Sequence, residues 1–404
     1  MTTTVKTSIK EFIAQRLPEY QELALDIHDH PEVSNYEFYS ADALIAQLEK
    51  EGFTVEKEVA GHRTGFDARY QSGKPGPTLA FLAEYDALPG IGHACGHNLF
   101  GTYSVLAASA LQPYVDELGG EIRVYGTPGE EGGENGSAKG SFVREGFFED
   151  VDAALCVHPA YRYGKTTASL ANDPVDIKFY GRASHAAAAP EKGINALEAL
   201  IQVFNGINGL RLHLPKDVNI HGVITDGGVA ANVVPEYAAG RFYLRAANRA
   251  TLDEVYEKVE NIVKGAALAT GTTYEFGLFQ NSVDDVIVTP SFDELFFAHT
   301  QEVGVPQAEI DVETKASLGS SDVGNVSQVI PTIQPTVSIS DEYIAGHSEE
   351  FKAAARSTKG LNSIAIAAEL LALTALDLIK SQNCCLKSKR TIKPAWQREI
   401  NPNE

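Results

Sequence analysis

The chain has 404 residues, with 33 Lys and Arg against 54 Asp and Glu for a formal net charge of -21. A field of that sign repels phosphate backbones and anionic headgroups, arguing against nucleic acid or a membrane surface as partner. Hydrophobic residues at 44% and charged residues at 22% give an ordinary globular mix rather than disorder or a rod. The four cysteines, two of them adjacent at Cys384 and Cys385, make no disulfide framework, and residues 1–10 lack the apolar core of a signal peptide. A reducing cytoplasm is the expected compartment.

From Ser8 onward, Ile9, Phe12, Ile13, Leu17, Leu23 and Ile27 predict helix, interrupted at Pro18, and a second helix over 41–51 stops at Gly52. Short strand-like runs follow over 53–59, 64–70 and 78–85, with a Gly/Pro turn at 72–77. A helix from Gly101 to about Leu111 then leads to a strand over 121–126. This alternation predicts an α/β layered domain with a central mixed sheet, in which ligands collect at the carboxyl ends of strands.

Between about 174 and 283 the order changes to strand, helix, strand, strand, helix, strand, over 175–180, 194–212, 219–224, 236–246, 252–270 and 273–280. That is a ferredoxin-like α+β order, and it reads as an insertion. Beyond it a helix over 291–303, strand-like segments around Glu309 and over 332–339, and a final helix over 358–379 restore the first domain's character. The expected division is 1–173 and 285–380 for the first domain, 174–284 for the insert and 381–404 for a tail outside the fold. The longest apolar stretch, 364–379, is broken by Glu369, Thr374 and Asp377, which argues against a bilayer span.

Five polar clusters follow apolar runs. In the first, Ala83-Glu84-Tyr85-Asp86-Ala87-Leu88-Pro89 precedes Gly92-His93-Ala94-Cys95-Gly96-His97-Asn98. A thiolate and an imidazole flanking one glycine can grip one or two metal ions, with Asp86 near enough to orient a ligand. In the second, Glu130 and Glu131 stand in a glycine-rich loop after a strand, where adjacent carboxylates can diverge so that one binds metal and the other serves as general base. The others are Cys156-Val157-His158-Pro159, Gly181-Arg182-Ala183-Ser184-His185 and Gly346-His347-Ser348-Glu349. Taken singly, each histidine also reads as a hydrogen-bonded core or turn residue and each carboxylate as exposed surface. Together, Cys95, His97, Glu131, His158 and His347 form a candidate ligand set with Glu130 to spare.

These motifs resemble the aminoacylase and hippurate-hydrolase family of co-catalytic metallopeptidases and amidohydrolases, from His28-Asp29-His30-Pro31-Glu32 through His347 to the last helix. Gly-His-Ala-Cys-Gly-His-Asn, Gly-Arg-Ala-Ser-His-Ala and Gly-Val-Ala-Ala-Asn-Val-Val-Pro-Glu-Tyr are similar to the branch containing the aminobenzoyl-glutamate hydrolase subunit and the Xaa-Arg and β-alanyl-lysine dipeptidase. The resemblance implies a catalytic domain interrupted by a lid and dimerisation domain. It also implies two divalent ions, Zn or Mn, on Cys95, His97, Glu131, His158 and His347, with Cys95 where other branches use a bridging aspartate. Glu130 matches the general base, His185 a lid histidine that reaches a neighbouring subunit's site, and Asn232 and Arg245 the pair that receives a substrate carboxylate. Two departures stand out: Ser320-Ser321-Asp322-Val323 replaces Ser-Glu-Asp-Phe, and Asn98 replaces Asp.

The expected activity is hydrolysis of the amide bond of a dipeptide or N-acyl amino acid bearing a free carboxylate, by a metal-bridged water with Glu130 as base, in a homodimer. An aminobenzoyl-glutamate hydrolase subunit is the alternative. A silent small-ligand-binding relative and a cysteine hydrolase using Cys95 with His97 are the competing classes; the latter leaves Glu130, Glu131, His158 and His347 without a role.

Overall fold

The computed structural model describes residues 2–313 and 319–381. In chain order the elements are α1 (Thr2–Asp29), α2 (Phe38–Lys50), β1 (Thr54–Lys57), β2 (Phe66–Gln71), β3 (Thr78–Ala83), α3 (His97–Leu118), β4 (Glu121–Gly126), α4 (Ala138–Arg144), β5 (Ala153–Leu155) and β6 (His158–Ala160). There follow β7 (Ala171–Tyr180), α5 (Ala196–Arg211), β8 (Asn219–Asp226), β9 (Tyr237–Ala246), α6 (Arg249–Thr270) and β10 (Thr273–Leu278). The last part carries α7 (Pro290–Ala298), α8 (Thr300–Val303), α9 (Val323–Ser327), β11 (Thr332–Ile333), β12 (Thr336–Ser338), α10 (Glu349–Ala355) and α11 (Thr358–Lys380). Among the described residues they form two compact units, one from 2–168, 286–313 and 322–381, the other from Ser169–Asp285 with 319–321. The expected tail, beyond Ser381, lies outside the described residues.

The first unit is built on a six-stranded mixed sheet in the order β1, β2, β4, β3, β5, β11. β4, β3, β5 and β11 are parallel; β2 pairs antiparallel with β4, and β1 antiparallel with β2. Side chains alternate across a strand, and here both faces are covered. Leu79 and Phe81 of β3 join the cluster containing Leu99, Tyr103, Leu106, Leu370 and Leu373, whereas Ala80 and Leu82 join Tyr125, Phe142 and Val326. A parallel pair, β6 with β12, extends past the end of the β5 and β11 pair and carries His158.

Pro18 does not interrupt α1, which runs unbroken past it. A proline inside a helix costs about 3 kcal/mol, and the helix recovers it by burying Ile9, Ile13, Tyr20, Ala24 and Ile27. α3 starts at His97 rather than Gly101; Gly101 is internal because a Cβ there would stand 2.7 Å from the carbonyl oxygen of Glu84. The segment around Glu309 is a short 3-10 turn, Gln307–Glu309, not a strand, since Pro306 fixes its entry. The predicted strand 332–339 is two strands in different sheets, divided at Pro335, which has no N–H to donate. The predicted helix 291–303 divides at His299 into α7 and α8.

By length and composition alone α11, with a mean hydropathy of 1.6 in its most apolar window, is long and apolar enough to cross a bilayer, a test that a buried core helix also passes. In the fold 78% of that window is buried, packed with α1, α3 and the sheet.

The second unit is an antiparallel sheet in the order β10, β7, β9, β8. Val175, Ile177 and Phe179 of β7 bury against Leu200 and Val203 of α5 and Val255 and Val259 of α6. Asn195 and Asn248 cap the two helices by accepting backbone N–H bonds from the first turns.

Candidate metal centre

The parallel strands end on one cluster within the first unit. β3 runs into Glu84 and Asp86, β4 into Glu130 and Glu131, and His158 opens β6, while Cys95 and His97 lie at the start of α3. Gly96 takes φ +78 between them, and a Cβ there would stand 2.6 Å from Pro159 Cγ and 3.2 Å from Phe351. Gly96→Ala therefore combines left-handed strain with a steric clash. We expect it to lower unfolding stability by at least about 2 kcal/mol, read from the urea midpoint; an unchanged midpoint would mean the turn relaxes freely. His347 is also left-handed, at φ 60, and its N–H donates to the Ala94 carbonyl at 3.0 Å, pinning it beside the Cys95 turn.

Three groups of ligand atoms each lie within 4.8 Å of one another: Cys95, His97 and His158; Cys95, Glu131 and His347; and Glu84, His97 and Glu130. Asp86 organises them. One carboxylate oxygen accepts from His97 Nδ1 at 2.8 Å and the other from the Glu131 N–H at 2.9 Å, joining the α3 start to the β4 loop. His158 Nδ1 lies 2.7 Å from the Pro159 carbonyl, which assigns its proton there and leaves Nε2, 3.4 Å from Cys95 Sγ, as a lone pair. His347 Nε2 is 3.3 Å from Glu131 Oε2. Outer partners that set histidine tautomers in this way are the usual companions of metal ligands.

The donor set fits divalent ions. His97 Nε2 and Glu131 Oε1 are buried without a hydrogen-bond partner among the described residues, an arrangement that costs free energy unless a cation satisfies them. Burial alone would raise the Asp86 carboxyl, yet His97, the Glu131 amide and Lys139 hold it below its usual value. Burial, then Glu84, Glu131 and Asp322, hold the Glu130 carboxyl well above the carboxylate range. Burial and Glu131 push the Cys95 thiol up, the opposite of the activation a cysteine nucleophile needs.

Not every motif residue joins the cluster. His93 bonds the Ile27 carbonyl and His28 that of Lys352, both as packing contacts. Asn98 donates to the Ala24 and Ala355 carbonyls, which an aspartate could not do, so its departure from Asp serves helix packing. Sequence reasoning gave Glu84 no role, although it stands in the first cluster, and missed Lys139. Lys139 is fully buried, 2.8 Å from Glu84 Oε1 and 2.6 Å from Asp322 Oδ1. The available signal was a charged residue inside the apolar run Phe81-Leu82-Ala83-Glu84-Tyr85.

The second unit carries His185, Asn232 and Arg245. His185 is exposed, and its Nδ1 accepts from the N–H groups of Ala187 and Ala188 at 3.2 and 3.1 Å, so the neutral ring keeps its proton on Nε2. Asn232 is beside it, its carbonyl accepting from the Ala186 N–H at 3.0 Å. Arg245 is not: it lies at the far end of β9, opposite Asn172 and Asn219. At about 3.3 Å per residue, the eight steps from Tyr237 to Arg245 span about 26 Å. Within one chain Asn232 and Arg245 do not make a pair, because the spacing that suggested a hairpin is taken up by an extended strand.

Acidic and imidazole side chains gathered where parallel strands end suit a divalent-metal centre, and the relatives define the class as metal-dependent hydrolases. Comparison with known proteins agrees. Residues 174–270 match the peptidase dimerisation domain of the M20 group. The chain is 34% identical over 305 residues to the Xaa-Arg dipeptidase of Mus musculus, covering 74% of this chain and 70% of that one. It is 37% identical over 309 residues to one of the subunits of the p-aminobenzoyl-glutamate hydrolase of Escherichia coli, covering 71% of this chain and 63% of the relative. A dinuclear metal-binding peptidase of the M20 family from Bacillus subtilis shares the fold, with a TM-score of 0.64 at 21% identity over 91% of this chain and 99% of that one. The chain belongs to the M20 family of metallopeptidases.

Proposed function

We propose that the chain hydrolyses the amide bond of a small dipeptide or N-acyl amino acid carrying a free carboxylate. Two divalent ions, Zn or Mn, would be held by Cys95, His97, Glu131, His158 and His347. The observation that carries this reading is that Cys95 belongs to two distinct three-ligand groups, so one sulfur can serve two ions, while Glu130 stands beside them with its own carboxylate. Such ions supply Lewis acidity and make a water acidic enough to deprotonate near neutral pH.

The chain's own groups do the rest. Glu130 accepts the water's proton as it attacks the amide carbon and returns it to the leaving nitrogen. His185 Nε2–H is a preplaced donor for the developing oxyanion, and the match to a dimerisation domain over the unit that carries it supports delivery from a partner chain. Arg245 offers two parallel donors for a carboxylate, and Asn232, remote from it within one chain, would complete that receptor from the partner. Arg245→Ala should raise KM for substrates with a free carboxylate more than for their amides; equal effects on both would remove Arg245 from the substrate site. A second reading, an aminobenzoyl-glutamate substrate, is favoured by the similarity to the Escherichia coli hydrolase.

The test is elemental analysis of protein purified without a metal-affinity step, paired with hydrolysis of dipeptides and N-acyl amino acids before and after chelation. About two ions per chain and chelator-sensitive cleavage are expected. No metal, no rescue by added Zn2+ or Mn2+ and no cleavage would overturn the proposal.

A further inference from the structure

We propose that Glu84 is a further ligand of the ion held by His97, and that Lys139 is the residue that positions it. The inference rests on the two-ion reading and concerns side chains outside the five ligands. Glu84, at the end of β3, is 0% exposed, as are Lys139 and Asp322. A buried carboxylate needs both oxygens satisfied. Oε1 faces the Lys139 ammonium at 2.8 Å, an ion-pair distance although the approach is not aligned as a hydrogen bond. Lys139 is itself fixed from two sides by Asp322, through its ammonium at 2.6 Å and its backbone N–H at 3.1 Å. The Glu84 carboxylate therefore cannot turn away, and its other oxygen is left for the centre.

That oxygen, Oε2, lies 3.2 Å from His97 Nε2, yet neither atom has a hydrogen-bond partner among the described residues. With its Nδ1 proton directed at Asp86, the neutral His97 ring presents a lone pair at Nε2. Two lone-pair atoms facing each other repel unless a proton or a metal cation lies between them. Ligands at about 2.1 Å from one ion, with bond angles near 90–110°, are separated by about 3.0–3.4 Å, which is the separation seen here. Glu130 completes a group within 4.8 Å around the same point. The contacts thus place a carboxylate on the ion at His97 from the side opposite its Asp86 partner.

The test loads the full-length wild type and the Glu84→Gln, Lys139→Met and Lys139→Arg variants with Zn2+ or Co2+ after exhaustive chelation. It measures ions per chain, affinity by chelator competition, and the Co2+ visible absorption spectrum, which reports the ligand set. Glu84→Gln is expected to weaken one of the two ions at least about tenfold and shift the Co2+ spectrum. Lys139→Met should move both in the same direction, with partial rescue by Lys139→Arg. If Glu84→Gln does not fold, Glu84→Asp keeps the charge toward Lys139 but retracts the carboxylate by one methylene, and should show the same losses. A wild type that binds two ions, with variants unchanged in affinity and spectrum and lowered only in metal-free melting temperature, overturns the inference and leaves the two-ion reading standing. A wild type that takes up no ion overturns both.

Discussion

Glu130→Ala is expected to cut amide hydrolysis at least about 100-fold while both ions stay bound, a loss of about 2.7 kcal/mol of transition-state stabilisation. The geometry separates the two readouts. Glu130 shares a group only with Glu84 and His97 and is absent from the two groups that contain Cys95, whereas its neighbour Glu131 is in one of those and is anchored through its N–H to Asp86. The loop holding both is fixed independently, because the Gly129 N–H donates to Glu37 Oε1 at 3.0 Å and the Ser137 N–H to the Gly129 carbonyl at 2.7 Å. Truncating Glu130 therefore removes a proton acceptor without releasing Glu131. Full turnover in the variant, measured under saturating metal, would sink the general-base assignment. Lost metal together with lost turnover would instead make Glu130 a ligand.

The second large effect concerns the origin of His185. Glu130→Ala and His185→Ala chains are each expected to be nearly inactive alone. Unfolded and refolded together, they should recover about a quarter of wild-type activity if the histidine acts across the dimer. Half of the randomly assorted dimers are mixed, and each mixed dimer has one site with an intact Glu130 and an intact His185 from the other chain. If His185 served its own chain, no mixture would contain a complete site. Persistent inactivity of a verified mixed dimer would place His185 in its own chain's site, whereas full activity of the His185→Ala chain alone would place it outside catalysis.

Much of the architecture was legible because it is local. The six elements of the second unit show their periodicity in short windows, and the strand over 121–126 has the limits the alternation predicts. The clusters at Cys95, Glu130, His158 and His347 were legible because each pairs an apolar run with unusual polar chemistry. Glu84, Lys139 and Asp322 were not. They are scattered along the chain, each looks like a solvated charge, and only the adjacency of β3, α4 and α9 makes them one buried triad. The separation of Asn232 from Arg245 was equally hidden. A count of intervening residues does not distinguish a tight turn from the length of an extended strand, and β9 is ten residues long.

The divided first unit has a consequence for the growing chain. β5 finds its outer neighbour only in β11, and the face of the sheet lined by Leu79 and Phe81 is closed by α11. Both arrive after the whole of Ser169–Asp285 has been made. On the ribosome, the half that bears most of the proposed metal-ligand side chains must wait with an open strand edge, while the second unit, with nearly all its partners adjacent in sequence, can fold in the interval. A chain halted before Thr332 would hold a finished second unit and an unfinished first one. His347 is the last of the proposed ligands to emerge, so metal capture by the full set would mark that synthesis has reached the end of the fold.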